Sequence, residues 1–199
     1  MEILPLFATN VFSTTLEVDT TELKEDKYFN NSVQSDKENL IRANPSFRVL
    51  DKYPDIEKAL LNKWLEVARA VFNYKEDFVI TTSWITKNKY GMSSQTHHHK
   101  NSFYSGVYYF DTYDKDSAML EFSTPLANHP DFLLEPTAYN IRNCPSWSVK
   151  PKTNLLLLFP SYLDHRVTLH KGKTDRKSLA FNIAPIGEYG ICDSQNLCK

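Results

Sequence analysis

Three histidines stand side by side at His97, His98 and His99, half of the six in the chain. If the run is extended, side chains alternate between faces, so His97 and His99 share one face and His98 points the other way. Alternate residues of a strand lie roughly 6.6 Å apart, and two imidazoles can converge on one ion from that distance. His97 and His99 therefore read as two metal ligands and His98 as a bystander. On the triplet alone, a polar surface turn fits equally well. A third histidine, His165, lies far downstream, just past an apolar run, and Arg176 follows it at the start of the final strand. Three imidazoles from two strands can hold an ion on one face and leave the other face open. The arginine offers a planar fork suited to a carboxylate. Pointing into a barrel, it would be costly without an anionic partner, so an acid ligand is its natural complement. Ser178, two positions on and on the same face, can donate another hydrogen bond to that acid.

These residues need rigid strands to bring them together. The segment after the histidines, Phe103 to Phe110, is aromatic, β-branched or small, which is strand composition. Residues 3–18 begin as a strand, and residues 19–50 read as long loops with one short helix. Pro54 to Phe72 is the clearest helix. Pro54 suits its first turn, Asp55 and Glu57 suit its positive end, and Ile56, Leu60, Trp64, Ala68 and Val71 recur every three or four residues. Trp64 is assigned to packing, not chemistry. Strands are expected over 78–86 and 118–122, with turns at 88–91 and 111–117. The prolines at 125, 130, 136 and 145 mark residues 125–147 as a long irregular loop. Leu155 to Phe159 is a continuous apolar run, read as a fully buried strand. Residues 166–170 form another strand, and Lys171 to Thr174 a hairpin turn into a last strand at 176–183. One helix followed by many short strands predicts a mainly β sandwich or barrel. No linker or repeat divides the chain, so residues 1–199 are expected to form a single domain.

The totals agree. The chain has 199 residues, with 41% hydrophobic and 24% charged, as expected of a chain with a proper core. A formal net charge of -1 argues against a nucleic-acid or membrane surface. The opening Met1 to Phe7 has no basic start and no long apolar run, so a cytoplasmic protein is expected. Cys144, Cys192 and Cys198 form no CxxC pair, and a bridge between Cys192 and Cys198 stays open. Lys87, Lys89 and Lys100 read as a solvated face. His129 and His170 read as surface or loop residues, and Asp164 either orients a ligand or faces solvent.

Four blocks in order resemble 2-oxoglutarate- and Fe(II)-dependent oxygenases of bacteria and tailed phages. They are His97 to His99 with Tyr104 to Tyr109, Leu120 to Phe122, Leu158 to Val167, and Arg176 to Ile183. The resemblance covers roughly the C-terminal half and is weak over residues 19–75. It implies a double-stranded β-helix (a jelly roll of two facing sheets) with a supporting helix. It also implies that 2-oxoglutarate chelates the iron held by His97, His99 and His165, with its far carboxylate on Arg176. Tyr109 looks like the tyrosine that related prolyl hydroxylases use on that carboxylate, and Asn182 shares the face of Arg176 and Ser178. The implied reaction consumes O2 and 2-oxoglutarate, releases succinate and CO2, and hydroxylates a C–H bond of a peptide, prolyl by analogy, or of a small molecule. If the chain is phage-encoded, its setting is the host cytoplasm; a homodimer stays open. One departure stands out: histidine occupies position 99, where the wider class carries aspartate, and the site loses a negative charge. Two rival readings remain at this stage. One is a cupin-like protein binding zinc or another ion, since three histidines are also a zinc set; the other is a jelly-roll adhesion module whose histidines cluster by accident.

Overall fold

In the computed structural model, residues 8–24, 33–35, 40–42, 47–125 and 135–198 are described. The chain runs β1 (Phe12–Thr15), α1 (Thr21–Lys24), β2 (Val33–Ser35), β3 (Leu40–Arg42), α2 (Pro54–Ala70), β4 (Asp77–Asn88), β5 (Tyr104–Tyr109), β6 (Leu120–Ser123), β7 (Ser146–Val149), β8 (Leu155–Pro160), β9 (His165–Val167), β10 (Arg176–Tyr189) and β11 (Asn196–Cys198). The strands form two antiparallel sheets. The major sheet has the order β1-β8-β5-β10-β4-β3-β2, with β11 added to β10, and the minor sheet has the order β7-β6-β9. This is the expected mainly β, jelly-roll architecture.

The major sheet is apolar on both faces, and each face has its own core. In β8, Leu156 and Leu158 pack toward α2, while Leu157 and Phe159 face the space between the sheets. This double burial explains why β8 reads as a continuous apolar run instead of alternating. Helix α2 covers the outer face with Ile56, Leu60, Trp64 and Ala68, all buried. Its Pro54 sits in the first turn, where the missing N–H costs nothing. In β10, Leu179, Phe181 and Ile183 join this outer core, while Ala180 packs on the inner one. Gly106 of β5 lies against the Phe181 ring, and a Cβ there would collide with it.

Several boundaries differ from expectation. The helix ends at Ala70, and Val71 is exposed. Asn73, in the left-handed region at φ 56°, turns the chain away. Part of 19–50 is not loop: β2 and β3 extend the major sheet beyond β4. Within 125–147, Ser146 and Trp147 begin β7, and residues 126–134 lie outside the described ones. The expected strand at 3–18 is seen only as β1, and residues 1–7 are not described. The largest correction concerns residues 171–174. They do not close a hairpin: β9 pairs with β6 in the minor sheet, and β10 pairs with β4 and β5 in the major one. His165 and Arg176 therefore stand on facing sheets, and the short connection carries the chain across the jelly roll.

Candidate active site

The histidine segment is not a regular strand. His97 makes a single antiparallel bridge with His165. The His97 N–H donates to the His165 carbonyl at 3.0 Å, and the His165 N–H donates back at 2.9 Å. The His99 N–H donates to the Ser161 carbonyl at 2.9 Å. Backbone bonds thus fix the segment to the turn that precedes β9, and the extended alternation still holds. Ligand atoms of His97, His99 and His165 all lie within 4.8 Å of one another. His98 points the other way and meets Asp164, Nδ1 to Oδ1 at 2.9 Å. The Asp164 side chain therefore hydrogen-bonds the bystander histidine.

The ring orientations suit metal binding. His97 Nδ1 lies 2.9 Å from the Gln95 carbonyl, and His165 Nδ1 lies 2.9 Å from the Leu163 carbonyl. A carbonyl only accepts, so these Nδ1 atoms carry the protons and Nε2 keeps its lone pair. His165 Nε2 is 3.3 Å from His99 Nε2, a spacing that a shared cation would satisfy. Burial pushes the His165 pKa down to about 4, with the His97 charge adding to the effect and the Leu163 carbonyl opposing it. The imidazole is neutral at pH 7, the form a metal requires.

A narrow cavity of about 50 Å³ leads from these rings to Arg176, past Trp84, Thr86 and Phe159. Arg176 is 1% exposed and meets no acid among the described residues. Its Nε donates to the Ala118 carbonyl at 3.0 Å, and Nη2 donates to the Tyr109 hydroxyl at 3.1 Å. Its Nη1 donates to Asn88 Oδ1 at 3.1 Å and to Ser178 Oγ at 3.3 Å. Neutral groups hold the guanidinium in place without cancelling its charge. A buried cation of this kind is costly until an anion joins it. Tyr109 is fully buried, and burial raises its pKa against the pull of Arg176, so it stays a neutral phenol. Ser178 Oγ also lies 3.0 Å from Thr86 Oγ1.

Not every expected residue joins the site. Asn182 keeps the face of Arg176 and Ser178 but does not line the cavity: its amide is engaged by Ser105 and Thr82 (2.8 and 2.9 Å). Lys87 is not on a solvated face: it is buried, with Nζ 3.9 Å from Asp175. Lys89 and Lys100 are exposed as expected. His170 is not a surface residue either. It is fully buried, its Nδ1 accepting from the Ala118 N–H at 3.1 Å and its Nε2 donating to the Thr174 carbonyl at 2.8 Å. It thereby supports the residue whose carbonyl holds Arg176. His129 and the side chains of Cys192 and Cys198 lie outside the described residues. Trp84, Thr86 and Asn88 went unnoticed in the sequence, although alternation along one strand places all three on the inner face.

The donor set fits Fe(II) and 2-oxoglutarate: three imidazole nitrogens at one end and an unneutralised guanidinium at the other. The family model described as "Putative 2OG-Fe(II) oxygenase" matches residues 82–182, just over half of the chain. No curated protein matches in sequence. Among solved structures, a prolyl-4-hydroxylase from Pseudomonas putida aligns at 14% identity and a TM-score of 0.58, covering 89% of this chain and 94% of that one. HygX from Streptomyces hygroscopicus, solved with nickel, 2-oxoglutarate and hygromycin B, aligns at 12% and 0.58, covering 89% and 83%. The viral collagen prolyl hydroxylase of Paramecium Bursaria Chlorella virus-1, a 2-oxoglutarate complex, aligns at 9% and 0.54, covering 87% and 94%. At such identities these likenesses concern the fold. The chain belongs to the 2-oxoglutarate/Fe(II) oxygenase family.

Proposed function

We propose that this oxygenase hydroxylates a C–H bond of a peptidyl substrate, with a prolyl residue as the first candidate, and releases succinate and CO2. His97, His99 and His165 would hold Fe(II), and Arg176, Tyr109 and Ser178 would hold the far carboxylate of 2-oxoglutarate. The iron, when bound, supplies oxygen activation coupled to decarboxylation of the keto acid. The chain's own residues do the rest. Arg176 and Tyr109 orient the co-substrate, with the phenol donating its proton to a carboxylate oxygen. Trp84 and Phe159 wall the cavity and keep water out. The single observation that carries the reading is one narrow space joining three imidazoles to a buried cation that meets no acid among the described residues. The peptidyl substrate rests on likeness to the two prolyl hydroxylases, which is an analogy of fold. We further propose that residues 1–199 act as one catalytic domain working in the cytoplasm. No helix among the described residues is long and apolar enough to cross a membrane.

Succinate formation from 2-oxoglutarate with Fe(II), with and without proline-containing peptides, tests this reading. Turnover that rises with peptide and disappears in His165→Ala is the expected result. Absence of succinate under every condition overturns it. The all-histidine cluster also suits Zn(II). Anaerobic visible absorption on mixing Fe(II), 2-oxoglutarate and protein separates the two, because a zinc site gives no such band.

A further inference from the structure

We propose that Asn88 is a further binding residue for the far carboxylate of 2-oxoglutarate, its amide donating to an oxygen of the group that Arg176 grips. The inference rests on the active-site reading above, since it needs that carboxylate to lie beside Arg176.

Asn88 ends β4 directly across from Arg176 in the β10–β4 register. It continues the inward row of Trp84 and Thr86; those two and Arg176 line the cavity, and Asn88, just outside the lining, is joined to it through Arg176. It is fully buried, and its Oδ1 accepts from Arg176 Nη1 at 3.1 Å. Arginine only donates, so the flipped amide would set donor against donor, and the orientation is fixed by chemistry. The Nδ2 group, with two hydrogens, then has no partner among the described residues. A buried donor without an acceptor is costly, and native structures seldom tolerate it. The other such donor among the described residues, Trp64 Nε1, sits in the outer core among the rings of Phe72, Phe78 and Tyr104. Asn88 differs because it touches a buried cation that meets no acid among the described residues. One anion would satisfy both needs. An aspartate at this position would cancel the Arg176 charge permanently. An asparagine instead orients the guanidinium with its oxygen and keeps its donors for the ligand.

The test is calorimetric titration of 2-oxoglutarate, under nitrogen, into protein loaded with Mn(II). The comparator is 2-oxobutyrate, which keeps the keto acid and lacks the far carboxylate. Asn88→Ala is expected to raise the Kd for 2-oxoglutarate about 10- to 100-fold, the range for a hydrogen bond to a charged group. Its Mn(II) affinity and its Kd for 2-oxobutyrate are expected to stay within about twofold of wild type. Asn88→Asp keeps the acceptor for Nη1, places a negative charge where the ligand's would lie, and is expected to abolish 2-oxoglutarate binding while raising the melting temperature of the ligand-free protein. If Asn88→Ala does not fold, Asn88→Asp carries the test alone. Wild-type affinity for 2-oxoglutarate in either variant overturns the assignment, as does equal weakening of both keto acids. Wild-type protein that binds 2-oxobutyrate and 2-oxoglutarate equally overturns the active-site reading itself, and this inference with it.

Discussion

The two ends of the cavity are built differently. At the histidine end, a segment outside any regular strand is held by one bridge and a few backbone bonds, and His97 and His99 are only partly buried. At the arginine end, every contact comes from the sheets or their immediate flanks, and Arg176, Tyr109, Asn88 and Ser178 are all buried. The difference follows from what each end must do. A metal site needs open positions and room for an incoming substrate, so it sits at the rim, where backbone can be irregular. A carboxylate anchor gains from rigidity and low dielectric, so it sits inside the sheet, where the register fixes it.

That contrast can be broken most sharply at its ends. His165→Ala removes the buried imidazole that joins both ligand segments, and is expected to weaken metal binding more than about 100-fold and abolish succinate formation. Titration of the apo-protein with Fe(II) or Mn(II) checks it. Arg176→Gln is expected to spare metal binding and raise the KM for 2-oxoglutarate about 30-fold or more, because a desolvated charge pair is lost. If both ends fell together in either variant, they would not be separable units. Tyr109→Phe removes one hydrogen bond at the arginine end and is expected to raise the same KM about three- to tenfold.

Two smaller effects sharpen the histidine end. The His165 pKa is about 4 in the folded protein against a usual 6.5. The unfolded chain therefore binds a proton that the folded chain refuses, and metal-free stability falls as pH drops from about 6.5 toward about 4. Melting temperatures of the apo-protein across that window check it, and a flat profile would contradict the buried, neutral imidazole. Asp164→Asn breaks an exposed pair with His98, whose side chains are 52% and 43% exposed. A change in metal affinity below about threefold is expected there, as for other exposed ion pairs.

Some of this was written in the linear order of residues. The alternation of side chains made His97 and His99 partners and His98 an outsider, and it did so even though the segment is no true strand. The apolar run of β8 and the stripe of α2 announced the core, because burial of apolar surface depends on residue type and spacing alone. Local pattern also explains two misreadings. His170 looked like a surface residue because nothing in its neighbourhood foretold the Ala118 N–H that meets it. Lys87 looked solvated because its partner, Asp175, lies far along the chain, in the connection just before β10.

The chain order thus determined which side chains could act: three imidazoles, one guanidinium, one phenol and a hydroxyl at strand spacings. Only the tertiary structure decided that β9 and β10 face each other across two sheets, bringing His165 and Arg176 to opposite ends of one space. Only it found Asn88, whose role depends on lying across from Arg176. Strand pairing is set by contacts between residues far apart in sequence, which a short-range periodicity does not encode.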